Sequence, residues 1–322
     1  MIEKRPMGKS GIDVAPLALG GNVFGWTADE ATSFRVLDAF VDAGGTMIDS
    51  ADVYSAWVEG HRGGESETVI GRWLKRDGAK RDKVVIATKV GFSAGLAPET
   101  IEPSCDASLR RLGIETIDLY YQHKDDPKVP LDESLRAFER LREKGKIRAI
   151  GLSNFTGERV DEAMKTAERC GFVPAAALQP RYNLVDRSDY EGSLQSAARR
   201  HGLAVFPYYG LAAGFLTGKY RSSEDLGKSP RGKSAAKYLE GNGPRVLSAL
   251  DEIAGETGAS LATIALAWLM AQPTITVPIA SATSVDQLKD LTAAMALELS
   301  PDQIRRLDES EKAARPKILG LA

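Results

Sequence analysis

Eight times along this chain a short apolar run gives way to a longer amphipathic one, and that recurrence limits the possible folds more than any single motif. The apolar runs are APLALG, TMIDS, KVVIATKVG, IDLYYQH, RAIGLSNF, AAALQP, LAVFPYYG and TITVPIA. The segment after each of them reads as helix. In EATSFRVLDAFVDAGG, for example, Phe34, Leu37 and Val41 recur at spacings of three and four before a glycine pair stops the pattern. Short apolar strands alternating with helices imply parallel strands buried on both faces. Eight such units close most economically into an α/β (β/α)8 TIM barrel, with its chemistry on the loops at the strand C-terminal ends. The competing arrangement, an open doubly wound sheet, calls for G-x-G-x-x-G after its first strand, and LGGNVFG has its glycines elsewhere. GNGPRVLSALDEIAGETG and SPDQIRRLDESEKAA read as helices added to the basic barrel. No linker composition interrupts the 322 residues, so a single domain over 1–322 is expected, with a long loop after the seventh strand.

Composition removes several function classes. The net charge of −2 offers no basic field for nucleic acid or anionic lipid. The two cysteines, Cys105 and Cys170, form no CxxC pair, and His61, His123 and His201 are scattered, so no metal site is expected. The N-terminus lacks an apolar signal core, and LATIALAWLMA is too short to span a bilayer, which points to the cytoplasm.

GKSPRGKS, from Gly227 to Ser234, fits the phosphate-loop pattern G-x-x-x-x-G-K-[ST] at every fixed position. The mechanism of that loop needs a buried strand leading in and a helix leading out. Here the approach is the polar YRSSEDL, and Pro230 removes one N–H donor from the turn. A phosphate loop of the hydrolysing kind is therefore not expected.

The expected strand ends carry polar side chains. Asp49, Lys89, His123, Ser153, Asn154 and Gln179 close their strands, and Tyr54 lies just beyond Asp49. Each has a structural alternative: a helix cap for Asp49, a solvated charge for Lys89, a satisfied loop histidine for His123, loop packing for Tyr54. Together they can do one kind of chemistry. A phenol with an ordinary pKa of about 10 is a weak acid near neutrality, and a neighbouring ammonium held by a carboxylate lowers that value. Tyr54, Lys89 and Asp49 would form that relay, with His123 hydrogen-bonding a carbonyl oxygen that gains charge as hydride arrives.

At these residues the sequence resembles the aldo-keto reductases. GGTMIDSADVYSAWVEGHRGGESETVIGRWLK, ATKVG, DLYYQHKDD, EKGKIRAIGLSNF, LQPRYNLVDR and YYGLAAGFLTGKY occur in that family's order, over nearly the whole chain. The pattern is nearest to the bacterial members that are similar to potassium-channel β subunits. The resemblance implies a (β/α)8 barrel and a catalytic tetrad of Asp49, Tyr54, Lys89 and His123. It also implies an NAD(P)H cofactor bound without a Rossmann fold. Gly20, Gly21 and Asn22, with Asp49, would lie near the nicotinamide. Ser153, Asn154 and Gln179 would hold its carboxamide, and Tyr208 would stack on the ring. Leu211, Gly214 and Lys219 match the pyrophosphate loop; Thr283, Gln287 and Asp290 match the adenosine end. Many members carry Gly or Lys at the position of Ser281, Asn at that of Leu291, and some Arg at that of Gln287. NADP(H) is favoured, with NAD(H) as the alternative, because Arg231 matches a basic residue that reaches the adenosine phosphate. On this basis GKSPRGKS belongs to a mobile flap over the dinucleotide, in which Arg231 matters and Lys233 does not.

Three functions are compatible with these features to different degrees. An oxidoreductase acting on a small aldehyde, ketone, sugar or alcohol is expected. A cofactor-binding regulatory subunit with little turnover is the alternative, and a barrel metallohydrolase is disfavoured by the lack of clustered His and Cys. Trp26, Trp57 and Phe92 are candidates for an apolar substrate wall or for rim packing. Substrate, reaction direction and oligomeric state are not encoded in any motif.

Overall fold

The computed structural model describes residues 2–311. A hairpin of β1 (Arg5–Pro6) and β2 (Asp13–Val14) opens the chain. The strand and helix units begin with β3 (Ala18–Gly20) and α1 (Glu30–Asp42), β4 (Met47–Asp49) and α2 (Glu65–Lys75), β5 (Val85–Val90) and α3 (Pro98–Leu112). They continue as β6 (Ile117–Gln122) and α4 (Leu131–Glu143), β7 (Ile147–Ser153) and α5 (Gly157–Cys170), β8 (Ala177–Gln179) and α6 (Ser193–His201). After β9 (Ala204–Val205) come a four-residue helix α7 (Gly232–Ala235) and the longer α8 (Gly243–Thr257) and α9 (Leu261–Ala271). The last unit is β10 (Ile279–Ala280) and α10 (Val285–Ala293), with the added helix α11 (Pro301–Glu311) behind it. The end of the expected helix SPDQIRRLDESEKAA, past Glu311, lies outside the described residues.

The eight strands run parallel in the order β10-β3-β4-β5-β6-β7-β8-β9. Backbone N–H groups of Thr276 and Val277 donate to Val205 O at 2.9 and 3.1 Å, and Ile279 N to Pro207 O at 2.9 Å, which joins the two edges into a barrel. All eight expected strands are present. The helices start and stop where local chemistry says they should: Asp29, Thr156, Ser260 and Ser284 cap four N-termini, and Gly113, Gly171, Gly202 and Gly258 take left-handed φ at four C-termini.

Two apolar layers result. The larger packs the outward strand faces against the helices, with Trp73, Phe138 and Trp268 buried in it. The smaller fills the barrel, from Ala18, Met47, Ala87, Leu119, Tyr121, Ala149, Ala177, Ala204 and Phe206. Met7, Ile12 and Val14 of the hairpin complete it. The hairpin is thus the floor plug of the barrel, an element the strand periodicity did not show. Among the described residues no single helix is long and apolar enough to cross a membrane; α8 and α9 pass such a test only as a pair bent by 98°.

The expected long loop between Tyr220 and Gly243 is a string of short helical turns, Ser223–Lys228, α7 and Ala236–Tyr238. No strand leads into GKSPRGKS. At Gly232 an added Cβ would lie 1.8 Å from Leu226 O, so the glycine serves close packing inside this strap.

Candidate active site

Side chains alternate across a strand, so a residue two positions beyond an inward-facing one also faces inward. Gly20, Asp49, Lys89, His123, Gln179 and Tyr208 stand two positions past the barrel-filling Ala18, Met47, Ala87, Tyr121, Ala177 and Phe206. Ser153 stands four past Ala149. The register sets Gly20 level with Asp49 and Asp49 level with Ala87, so the polar set emerges at one end of the barrel. Tyr54 joins it from the β4–α2 loop, where Asp52 N–H donates to Lys89 O at 3.2 Å and Ser55 adopts a left-handed φ of 73°.

Lys89 is fully buried and all three of its ammonium donors are used. Nζ donates to Asp49 Oδ2 at 2.6 Å, to Ser50 O at 2.6 Å and to Tyr54 Oη at 2.9 Å. Tyr54 Oη donates to Asp49 Oδ2 at 3.4 Å, and Gln179 Nε2 donates to Asp49 Oδ1 at 2.9 Å. His123 lies edge-on to Tyr54, ring centroids 6.1 Å apart, and its Nδ1 is buried without a partner. The structure therefore brings Asp49, Tyr54, Lys89 and His123 together, and adds Gln179 and Ser50 O as groups that fix the carboxylate and the ammonium.

Burial shapes the electrostatics here. It pulls the Lys89 ammonium below its ordinary pKa against the raising influence of Asp49. It pushes the Tyr54 phenol up, and Asp49 pushes it further. That differs from the expectation of a lowered phenol, because the sequence reveals the ammonium and not the loss of water around the ring. The hydroxyl consequently carries its proton, as a proton donor must. His123 is driven down to about 2, first by burial and then by Lys89, so its imidazole is neutral. Beside Lys89, Asp52 is half-buried, its shielded Oδ1 lacks a partner, and its carboxyl is raised to about 7 by desolvation and by Glu67. Nothing in the sequence pattern singled it out.

Beside this group lies an amide cluster. Asn154, at a left-handed φ of 54°, donates through Nδ2 to His123 O at 2.8 Å and to Ser153 Oγ at 3.2 Å. Tyr208 Oη donates to Asn154 Oδ1 at 2.8 Å, and Ser153 Oγ donates to Gln179 O at 3.0 Å. Gly20 and Gly21 have a packing reason to be glycine: added Cβ atoms would lie 2.5 Å from Ser281 Oγ and 2.7 Å from Ser66 Oγ. Asn22 Oδ1 accepts from Ser281 Oγ at 2.6 Å, tying the β3–α1 loop to β10.

Further round the rim, Leu211 precedes Ala212, Ala213 and Gly214, which adopt left-handed φ values of 48°, 56° and 89°. A right-handed residue ahead of a left-handed one is the nest arrangement that gathers N–H donors on an anion. Lys219 closes this turn, and its chemistry fits a pyrophosphate. At α10, Thr283 donates from N and Oγ1 to Gln287 Oε1, both at 3.0 Å, while Asp290 is exposed. Arg231 projects from the strap between Tyr220 and Gly243. Its guanidinium lies 5.8 Å over the Trp26 ring and within electrostatic reach of Tyr54, Tyr209 and Tyr220. The other end of the strap is held at Tyr238, which bonds Asp186 and accepts from Arg181 Nη2 at 2.9 Å. Among the described residues no group of His, Cys, Asp and Glu is placed to hold a metal ion.

Known proteins resemble this chain over nearly its whole length. Residues 16–312 match the model of the Aldo/keto reductase family. The uncharacterized oxidoreductase YrpG of Bacillus subtilis is 34% identical, covering 94% of each chain. The NADP(+) aldo-keto reductase yakc of Schizosaccharomyces pombe is 30% identical, over 95% of this chain and 91% of its own. A Schizosaccharomyces pombe protein whose name assigns it provisionally to the voltage-gated potassium channel β subunits is also 30% identical, over 95% and 92%.

Proposed function

The chain belongs to the aldo/keto reductase family and is an oxidoreductase; from that premise we propose that it moves hydride between a nicotinamide dinucleotide and a carbonyl or alcohol substrate, with Tyr54 as acid and base. One observation carries the reading. A fully buried ammonium bridges the Asp49 carboxylate and the Tyr54 hydroxyl, at 2.6 and 2.9 Å, at the open end of the barrel.

In reduction the Tyr54 hydroxyl gives its proton to the substrate oxygen, and in oxidation the phenolate takes it back. Lys89 holds its positive charge against the phenolate while that charge exists, and Asp49 with Gln179 keeps the ammonium in place. Neutral His123 supplies an N–H to the same oxygen without competing as an acid. The bound dinucleotide would supply the hydride. Ser153, Asn154, Gln179 and Tyr208 would hold its nicotinamide, and Gly20, Gly21 and Asn22 would border the ring. Leu211, Gly214 and Lys219 would hold its phosphates, with Thr283, Gln287 and Asp290 at the adenosine. NADP(H) is the favoured form, supported by the NADP(+) relative, and NAD(H) is the alternative given Ser281, Gln287 and Leu291. Turnover is preferred over a purely regulatory role, which an assembled relay alone does not exclude, because the family and the relatives named as reductases support an oxidoreductase.

The test is Tyr54→Phe. Turnover of a carbonyl panel should fall at least about a hundredfold, the lower end for losing a general acid. Binding of the dinucleotide should persist. Undiminished turnover would end the assignment.

A further inference from the structure

The first turn of α2 buries two polar side chains against the barrel instead of turning them to solvent. Ser66 and Glu67 are fully buried, although serine and glutamate at a helix start are ordinarily solvated or cap their own helix. Glu67 Oε1 accepts from Thr88 Oγ1 at 2.6 Å, one residue ahead of Lys89 on β5, and its Oε2 accepts from Arg111 Nε of α3 at 2.6 Å. An added Cβ at Gly71 would lie 2.1 Å from Arg111 O, so α2 is pressed against α3 and its first turn has a fixed place relative to the strand ends.

From that place Ser66 closes a ring around the ion pair. Its hydroxyl accepts from Ser50 Oγ at 2.9 Å and donates to Gly21 O at 2.8 Å, with both serines shut off from solvent. Gly21 N donates to Asp49 O at 2.7 Å, and Ser50 O accepts from Lys89 Nζ at 2.6 Å. Lys89, Asp49, Gly21, Ser66 and Ser50 are thus linked in turn, and the 2.6 Å bond from Lys89 to Asp49 completes the circuit. A buried hydroxyl satisfied in both directions holds its partners at one spacing, and truncating it strands them. Ser50 N–H is tied to Ala87 O at 2.8 Å, so the carbonyl side of Ser50, just past the end of β4, is what Ser66 steadies.

We propose that Ser66 is a positioning residue for hydride transfer: by fixing Ser50 against Gly21, its hydroxyl keeps the Lys89 ammonium on Tyr54 Oη. This rests on the reductase reading given above and adds a residue to it. Without the Ser66 hydroxyl, Ser50 O drifts, the ammonium follows it, and the 2.9 Å contact to Tyr54 Oη lengthens. The phenolate then loses part of its counter-charge, which slows proton transfer in both directions and raises the pH at which alcohol oxidation begins. The phenol is faced by Asp49, Lys89, His123, Tyr208 and Arg231, and none of the substitutions below alters any of them.

The probe is the aldehyde of the panel that the wild type reduces fastest, with NADPH, and the corresponding alcohol with NADP+. Ser66→Ala and Ser50→Ala should each slow single-turnover hydride transfer about three- to tenfold, the effect of one neutral hydrogen bond, and raise the half-maximal pH of alcohol oxidation by about half to one unit. The dissociation constant of NADPH, followed by its fluorescence, should change less than about twofold, because the loss falls on the reacting step. Ser50→Ala/Ser66→Ala should lose no more than the worse single variant, since both changes open the same link. Ser33→Ala is the control: it removes a buried hydroxyl near the start of α1 that donates to Ala28 O at 3.2 Å, and it should lower stability without moving the rate or the midpoint. A Ser66→Ala chain that is destabilised yet keeps the wild-type rate and midpoint overturns the proposal, as does a double variant whose slowing is the product of the singles. If Ser66→Ala does not fold, Ser50→Ala decides by the same midpoint. A wild type that oxidises NADPH with no aldehyde sinks the reductase reading itself, whereas wild-type turnover unaffected by Ser66→Ala removes only the role of Ser66.

Discussion

Removing Lys89 tests whether the buried pair at the site is held together by charge. In Lys89→Met the Asp49 carboxylate loses its 2.6 Å partner and keeps Gln179 and the long contact from Tyr54, in a place without water. Leaving one member of a buried ion pair unpartnered costs about 3–5 kcal/mol. Asp49→Asn strands the ammonium in turn and should cost a similar amount. Replacing both members removes the charge altogether, so Asp49→Asn/Lys89→Met should lose far less than the sum, on the order of 2 kcal/mol or below. The assay is urea unfolding monitored by the fluorescence of the four tryptophans. The pH dependence supplies a second arm. Because the folded Lys89 pKa lies below 10.5, the unfolded chain binds more protons between the two values, and wild-type stability should rise with pH in that window. Lys89→Met should lose that rise. A double variant whose loss equals the sum of the singles to within about 0.5 kcal/mol would refute the pairing argument.

The geometry sets two further outcomes. His123 has a folded pKa of about 2 against 6.5 when free, so stability should fall as pH drops from 6.5 toward 2, by up to about 1.4 kcal/mol per pH unit. Its imidazole NMR signals should remain those of the neutral ring from about pH 5 upward; a midpoint near its ordinary value would show that the ring is not buried as described. Gly232→Ala places a methyl 1.8 Å from Leu226 O and should destabilise the strap by roughly 1–3 kcal/mol, seen as faster proteolysis between Tyr220 and Gly243. Gly227→Ala meets open space and serves as its control, so equal cleavage rates would contradict the packing described at Gly232.

The barrel was legible because each strand is a solid apolar run and each helix a periodic one. The inward-facing parity that collects Asp49, Lys89, His123, Gln179 and Tyr208 at one end is also written in the chain, since Met47, Ala87, Tyr121, Ala177 and Phe206 precede them by two. The floor hairpin was not legible, because strands of two residues cannot display alternation. The strap read as loop because Gly227, Pro230, Gly232 and Gly241 break every helical period before it is established. Arg231 was recognised by motif, but where its guanidinium goes depends on Trp26, some two hundred residues away, and no spacing rule reaches that far. The direction of the Tyr54 shift depends on burial, which is a property of the assembled mouth.

The central claim is hydride transfer to a carbonyl carbon with the Tyr54 hydroxyl supplying the proton. NADPH carrying deuterium at its hydride-donating carbon should be incubated with the enzyme and an aromatic aldehyde, and the alcohol analysed by mass spectrometry and NMR. The account predicts one deuterium on the carbinol carbon with the wild-type chain and little labelled alcohol with Tyr54→Phe. Cofactor that remains unoxidised across the aldehyde panel, or alcohol formed without deuterium at that carbon, would contradict it.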